Sequence, residues 1–469
     1  MLQPRRRDPD RLLPADPTMR DIARALYRRV ADAPIVSPHG HVPIEWLTTD
    51  AAFQDPADLL VTHDHYVTRL LHAGGVSLDR LGLGAASESG SVDPRNVWRL
   101  LAEHWHLFAG TASGYWLEEE LAQVLGVQEP LLPGNADAIF DEISARLAEP
   151  AFRPRALFER FGIEVLATTD DPLDDLAQHD ALRASGLRGR VLPTFRPDRY
   201  LDPDSVAFAD DVRRLLAATG SAETFAGYLD ALEQRRRHFV EHGAVSADHG
   251  VQDPLALELD PADAERLFQT VLAGEGSPVE RARFRAHMLF QMARMSVEDG
   301  LVMTIHAGVL RNHHRPTFER YGSDTGHDIP VRTDFVTGLR PLLERFGDAE
   351  GFHLVLFAVD ETVYSREIAP LAGFYPSVYI GAPWWFLDAP DAIARFRSAV
   401  TETAGFFRGS GFIDDTRAFL SIPVRHDTAR RVDAGFLARY VAEGRITLAA
   451  AEQIADDIVG PQPRRVFKL

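Results

Sequence analysis

The sequence has no cysteine and one lysine, Lys468, in the terminal "VFKL". Without cysteine there are no disulfides, thiolate nucleophiles, cysteine-ligated zinc sites or iron–sulfur clusters. Any metal must therefore sit on His, Asp or Glu. With one lysine in the tail, Schiff-base catalysis and a phosphate-binding P-loop both lack their amine. Positive charge is scarce too: 50 Lys and Arg face 69 Asp and Glu, for a formal net charge of −19. That balance argues against a nucleic-acid partner, because such surfaces use clustered cations to displace counterions. An acidic substrate would need a local arginine cluster. There is no long uncharged apolar run, and none follows the amino-terminal "RRRDPDRLLPADP". Neither a membrane helix nor a secretory signal is expected, and a cytoplasmic location fits.

The 469 residues are 45% hydrophobic and 25% charged, an ordinary globular composition. Eight short apolar runs end in polar or charged clusters: "APIVSPHGH", "GIEVLATTDDP", "GRVLPTFRPD", "GAVSADHG", "LVMTIHAGVLRN", "FHLVLFAVDE", "SVYIGAPWW" and "GFIDDTR". Amphipathic stretches separate most of them, as in a parallel sheet with crossover helices. The expectation is an α/β fold, a single (β/α)8 barrel over 1–469, with its chemistry at the carboxyl ends of the strands. Repeated helical patterns such as "GYWLEEELAQVL" predict a helical insertion at 43–160, packed on the barrel. A second helical stretch is expected at about 200–240.

His-x-His pairs occur at His39/His41, His63/His65 and His104/His106. Side chains two apart share a face on a strand and diverge on a helix. His104 and His106 lie in a helical pattern and should diverge, whereas "APIVSP" favours a strand feeding a loop. His39 and His41 are thus the best chelating pair on geometry, with structural hydrogen bonding as the alternative. "TTDDP" reads first as the N-cap of a following helix. Arg196 in "TFRPD", Asp248 in "ADHG", His306 and Arg311 in "TIHAGVLRN", and Asp414, Asp415 and Arg417 in "FIDDTR" also stand at strand ends.

The motifs "HGH", "DHYVTR", "GTASGYWL", "TTDDPLDDL", "VLPTFRPD", "ADHG", "IHAGVLRN", "YGSDTGHD", "GAPWWF" and "DDTRAFL" run in order from residue 39 to about 431. Together they resemble the uronate isomerase family of the amidohydrolase superfamily. The resemblance implies one divalent ion, zinc, on His39, His41 and Asp415. It implies Asp415, His65, Tyr66, Asp248 and His306 as catalytic residues, and Arg417, Arg196, Arg311 and Trp384 as substrate-binding ones. The implied reaction is aldose–ketose isomerisation of a small hexuronate through a cis-enediol, D-glucuronate to D-fructuronate or D-galacturonate to D-tagaturonate. A homo-oligomer is left open.

Three departures from the family pattern lie near these motifs: Asn312 is followed by His313 and His314, "SIPVRHDTARR" lacks the usual tyrosine and has one extra residue around Val424, and Asp414 adds a carboxylate beside Asp415. A mononuclear hydrolase of the same superfamily and a non-catalytic sugar-acid binding protein are the alternatives. A binuclear hydrolase bridged by a carboxylated lysine lacks its lysine here.

Overall fold

Seven of the eight apolar runs form parallel strands in the computed structural model, which describes residues 8–84 and 92–469. β1 (Ile35–Ser37), β2 (Ile163–Ala167) and β3 (Arg190–Leu192) pair in that order. β4 (Ser246–Val251) and β5 (Val302–Ala307) begin a second set. After them come a two-residue ribbon, β6 (Val309–Leu310) with β7 (Ile329–Pro330), and then β8 (Leu354–Ala358) and β9 (Val378–Ile380). β4, β5, β8 and β9 pair in parallel, and a Phe195–Ala247 bridge joins the two sets.

The eighth run departs from expectation. "GFIDDTR" is not a strand; it follows the sheet edge through a single Ile380–Gly409 bridge, and the His41 amide donates to Thr416 O at 3.0 Å to close the ring. Gly411 at φ +78° and Asp415 at φ +42° take the backbone out of the extended region, so a ladder cannot form there.

Inside the ring, alternation along each strand decides which side chains reach the axis. Val302, Val355 and Phe357 face inward, while Met303, Ile305, Leu354 and Leu356 pack outward on the helices. By the same period Thr304, His306 and Asp248 point in. Val466, Phe467 and Leu469 lie against the inward apolar groups. Lys468 Nζ donates to Gly300 O and Gly351 O, just ahead of β5 and β8, which puts the one lysine at the amino ends of the strands, away from the strand-end clusters.

Between β1 and β2 the described chain is helical, and residues 85–91 of that span lie outside the described residues. Trp98, Leu101, Leu117 and Ile143 from these helices share one apolar cluster with Ile35, Ile163 and Leu166 of the barrel. Helices Phe208–Thr219 and Phe225–Glu241 occupy the second expected helical stretch. Among the described residues no helix is long and apolar enough to cross a membrane.

Two local readings are corrected. Helix Pro94–Glu103 stops before His104, and a tighter 3-10 turn stacks the His104 and His106 rings 6.4 Å apart instead of diverging them. "TTDDP" caps no helix, since the next one starts at Ala177. Instead Asp170 Oδ2 accepts from the Thr168 hydroxyl at 2.8 Å and the Thr194 amide at 3.0 Å, and Thr168 Oγ1 lies 2.8 Å from His179 Nε2.

Burial pushes the Asp170 carboxyl up to about 7, with Asp174 and Glu45 adding to the rise against those hydrogen bonds. The folded state therefore holds a proton that the unfolded chain has already released, and stability grows as pH falls from about 7 toward the ordinary Asp range. Asp170→Asn removes this dependence. Its melting temperature should exceed that of the wild type most at pH 8, and the gap should shrink toward pH 5. A gap that is constant or widens with acid contradicts the reading.

Candidate active site

The strand ends open on a cavity of about 330 Å³ lined by His41, His65, Tyr66, Arg196, Arg311, Trp384, Asp415 and Arg417. His39, Asp248 and His306 are buried behind this lining, with His39 and His306 reaching Asp415 at 3.2 and 4.0 Å. β1 ends at Ser37, and the bend that follows carries His39 and, two residues on, His41, whose rings meet edge to face at 5.2 Å. Their Nε2 atoms lie 3.2 and 3.1 Å from the same atom, Asp415 Oδ1. Asp415 reaches that point from a left-handed backbone, a conformation that Asp tolerates at a cost on the order of 1 kcal/mol.

This trio fits a divalent cation. Asp415 Oδ1 is buried and accepts no hydrogen bond, so three lone-pair atoms converge without a proton donor between them. Burial opposes charge on His39, but Asp248 and Asp415 overcome it and raise its affinity for a proton. The surrounding anions thus call for positive charge at this place, and a cation on neutral imidazoles supplies it. Burial likewise opposes ionisation of Asp415, yet His39 and His41 hold its carboxyl well below the usual range.

Beneath the trio, Asp248 Oδ1 meets His306 Nδ1 at 2.6 Å and accepts the Thr304 hydroxyl at 2.6 Å. Arg196 Nη1 lies 3.2 Å from Asp248 Oδ2. Despite burial, His306, His39 and Arg196 keep the Asp248 carboxyl well below its ordinary value. The His306 ring is stacked between His39 at 4.5 Å and Phe357 at 4.1 Å, with Trp384 edge-on at 4.7 Å. This leaves His306 Nε2 buried without a hydrogen-bond partner, 4.0 Å from Asp415 Oδ2.

His65 and Tyr66 open helix His65–Ala73, which Asp64 caps through the Tyr66 amide at 2.8 Å. Their rings stack at 5.1 Å over the cavity. Burial, then the Arg417 charge, pushes His65 down to about 3, so it is a neutral imidazole at neutral pH. The loop between β6 and β7 adjoins this helix and adds Arg311 and Asp324 to the lining. Gly326 at φ +91° lets it press on helix His65–Ala73, where a Cβ would meet Arg69 Cβ at 2.5 Å. Arg311 on this loop pairs with Asp328 at 3.0 Å and lies over Trp385 at 5.2 Å.

The family model for glucuronate isomerase matches residues 17–467. The chain belongs to that family. It is 51% identical to the uronate isomerase of Corynebacterium efficiens, with 98% of both chains covered. A crystal structure of glucuronate isomerase from Caulobacter crescentus superposes with a TM-score of 0.95 at 46% identity, covering 99% of this chain and 98% of that one. Uronate isomerase from Thermotoga maritima superposes at 0.92 with 27% identity, both chains being fully covered.

Other cavity residues of this glucuronate isomerase family member were not singled out from the sequence. Asp324, at φ +61°, lies 3.4 Å from Arg417 and 3.9 Å from Arg311. Arg425 and Trp385 also line the cavity, and buried Asp388 stands behind Tyr66. Arg425 falls in "SIPVRHDTARR", one of the three departures, but nothing in that stretch reports its contacts with Asp388 and Trp116. Asp388 and Asp324 stand in motifs quoted for other residues or just beyond them.

Of the departures, His313, His314 and Asp414 stay outside the cavity lining, whereas Arg425 of the second one is part of it. His313 and His314 are exposed, with His314 Nδ1 beside Thr317 Oγ1 at 2.7 Å. Asp414 points into helix Ser421–Ala442 and meets His426 Nε2 at 3.0 Å, so it is not an added member of the His39–His41–Asp415 trio.

Proposed function

We infer that this chain is a uronate isomerase that interconverts aldose and ketose hexuronates, with D-glucuronate and D-galacturonate as the aldose substrates. The observation carrying this reading is one ionised carboxylate, Asp415, shared between a cation-holding trio and a cavity ringed by arginines in an otherwise acidic protein. Zinc suits a two-imidazole, one-carboxylate donor set. When bound, the ion acts as a Lewis acid toward substrate oxygens. Cysteine-free composition fits work in the cytoplasm.

Isomerisation moves the C2 proton to C1 and the hydroxyl proton from O2 to O1. Asp415 takes the C2 proton, gives it to C1, and ends as it began. Tyr66 and neutral His65 handle the hydroxyl protons. His306, fixed through Nδ1 by Asp248, turns the lone pair of Nε2 toward a substrate hydroxyl as an acceptor. Trp384 and Trp385 give the cavity apolar walls beside the buried Asp415, where charge interactions are stronger than in water. Purified protein incubated with a panel of hexuronates should give the ketose by NMR; no ketose from any uronate, or hydrolysis of amides or esters, favours the hydrolase reading.

Arg417 is the best clamp for the substrate carboxylate. Arg196 is engaged by Asp198 at 2.8 Å and Asp248 at 3.2 Å, and Arg311 by Asp328 at 3.0 Å, whereas Arg417 meets Asp324 at 3.4 Å. Loss of a charge-assisted contact worth about 1.5–3 kcal/mol corresponds to roughly a 10–150-fold rise in KM. Arg417→Met should show that rise with a smaller change in kcat and an unchanged melting temperature. Normal handling of uronates by this variant moves the clamp to Arg196.

A further inference from the structure

Tyr66 is supported by a buried ion pair, Asp388 with Arg425. Its hydroxyl donates to Asp388 Oδ2 at 3.2 Å, and the same oxygen accepts Arg425 Nη1 at 2.6 Å. The Arg425 guanidinium lies 3.8 Å from the Trp116 ring and 5.2 Å from the Tyr66 ring, while its Nε donates to Ser421 Oγ at 3.1 Å. Trp116 meets Tyr66 edge-on at 5.6 Å. Three distant segments contribute: helix Ala112–Glu119, the turn before helix Pro390–Ala404, and helix Ser421–Ala442. Asp388 is 5% exposed and Arg425 2%. A buried ion pair of this kind is a poor source of stability, because desolvating both ions offsets their attraction.

The direction of the Tyr66 hydrogen bond carries the argument. With its O–H turned to Asp388, Tyr66 presents lone pairs to the cavity and meets a substrate hydroxyl as a proton acceptor. A neutral phenol keeps an added proton only if it releases its own, and the hydroxyl already points at a carboxylate. We propose that Asp388, fixed by Arg425, receives the phenolic proton of Tyr66 while Tyr66 accepts the proton of the substrate C2 hydroxyl, and that the same path runs backward to protonate the C1 oxygen. The substrate O2–H and the original Tyr66 O–H break as a new Tyr66 O–H and an Asp388 O–H form. The reverse transfers deliver the proton to O1, so nothing is oxidised or reduced and no proton is gained or lost over the cycle. Burial, opposed by Arg425, raises the affinity of Asp388 for that proton. Asp388 and Arg425 are positioning residues, acting through Tyr66.

This relay rests on the isomerase reading, so wild-type ketose formation is measured first; its absence removes both. Asp388→Asn keeps the shape and an acceptor oxygen but takes no proton. It should lower kcat by roughly 10²-fold, with KM and bound metal as in the wild type. Combined with Tyr66→Phe, it should add no further loss beyond Tyr66→Phe alone, because the two act as one unit. Multiplying effects, a change confined to KM, or wild-type kcat in Asp388→Asn overturns the relay while leaving the isomerase reading standing. Should Asp388→Asn not fold, wild-type turnover across mixtures of light and heavy water decides: a bowed dependence marks two protons moving together, and a straight or flat one overturns the relay.

Discussion

Asp415→Asn should lower uronate turnover by roughly 10²–10⁴-fold, and further if the variant also loses its metal. Asp415 is the carboxylate on which the His39 and His41 Nε2 atoms converge, at 3.2 and 3.1 Å, and it also lines the cavity. Its neighbours hold it ionised against burial, which would make it a weak base in water. In a cavity walled by Trp384 and Trp385 the same carboxylate is poorly solvated and its basicity toward a substrate proton rises. Asparagine matches its size and tolerates the left-handed backbone at φ +42°, so the fold should survive. Metal analysis of the purified variant separates the two contributions: metal retained with turnover lost assigns the loss to proton transfer. Wild-type turnover in Asp415→Asn contradicts the mechanism.

His39→Ala combined with His41→Ala should abolish both metal content and turnover, while the circular dichroism spectrum stays native. Removing two of three converging donors leaves a single carboxylate, and neither histidine is part of the apolar clusters that hold the barrel together. His41→Ala alone is informative because a second donor group, His39, Asp248 and His306, shares His39. That group is already engaged internally, Asp248 with His306 at 2.6 Å and with Arg196 at 3.2 Å. His41→Ala should therefore lose its ion. Full retention in that variant would move the metal to the deeper group.

Much of this site is legible in the sequence because strand-end residues follow from periodicity. His306 and Asp248 lie on strands whose period of two turns them inward together, and the pairing of β4 with β5 makes them neighbours. His39 and His41 follow a short β-branched run and remain close once the chain leaves the strand. The apolar residues of the eighth run predict a strand, but positive φ at Gly411 and Asp415 depends on tertiary context. Asp415 and Arg417 therefore do not meet across a strand face; they line one cavity because a turn carries both.

Arg425 shows where sequence reading fails for a different reason. It lies inside helix Ser421–Ala442, where position alone suggests a solvated arginine; its partners are Asp388, 37 residues earlier, and Trp116 in the helices between β1 and β2. No local pattern reports contacts made across the fold. Asp324 is hidden similarly, on a loop shaped by Gly326 and the short β6–β7 ribbon.

The most direct test of the central claim is the fate of the C2 hydrogen when the wild-type protein converts D-glucuronate or D-galacturonate in deuterated water. Transfer by one carboxylate carries the hydrogen from C2 to C1 while allowing exchange during the time that Asp415 holds it. NMR should show a ketose with deuterium in part of the molecules at C1. A ketose that never contains solvent deuterium, whatever the number of turnovers, would mean a hydride shift and would contradict the role given to Asp415.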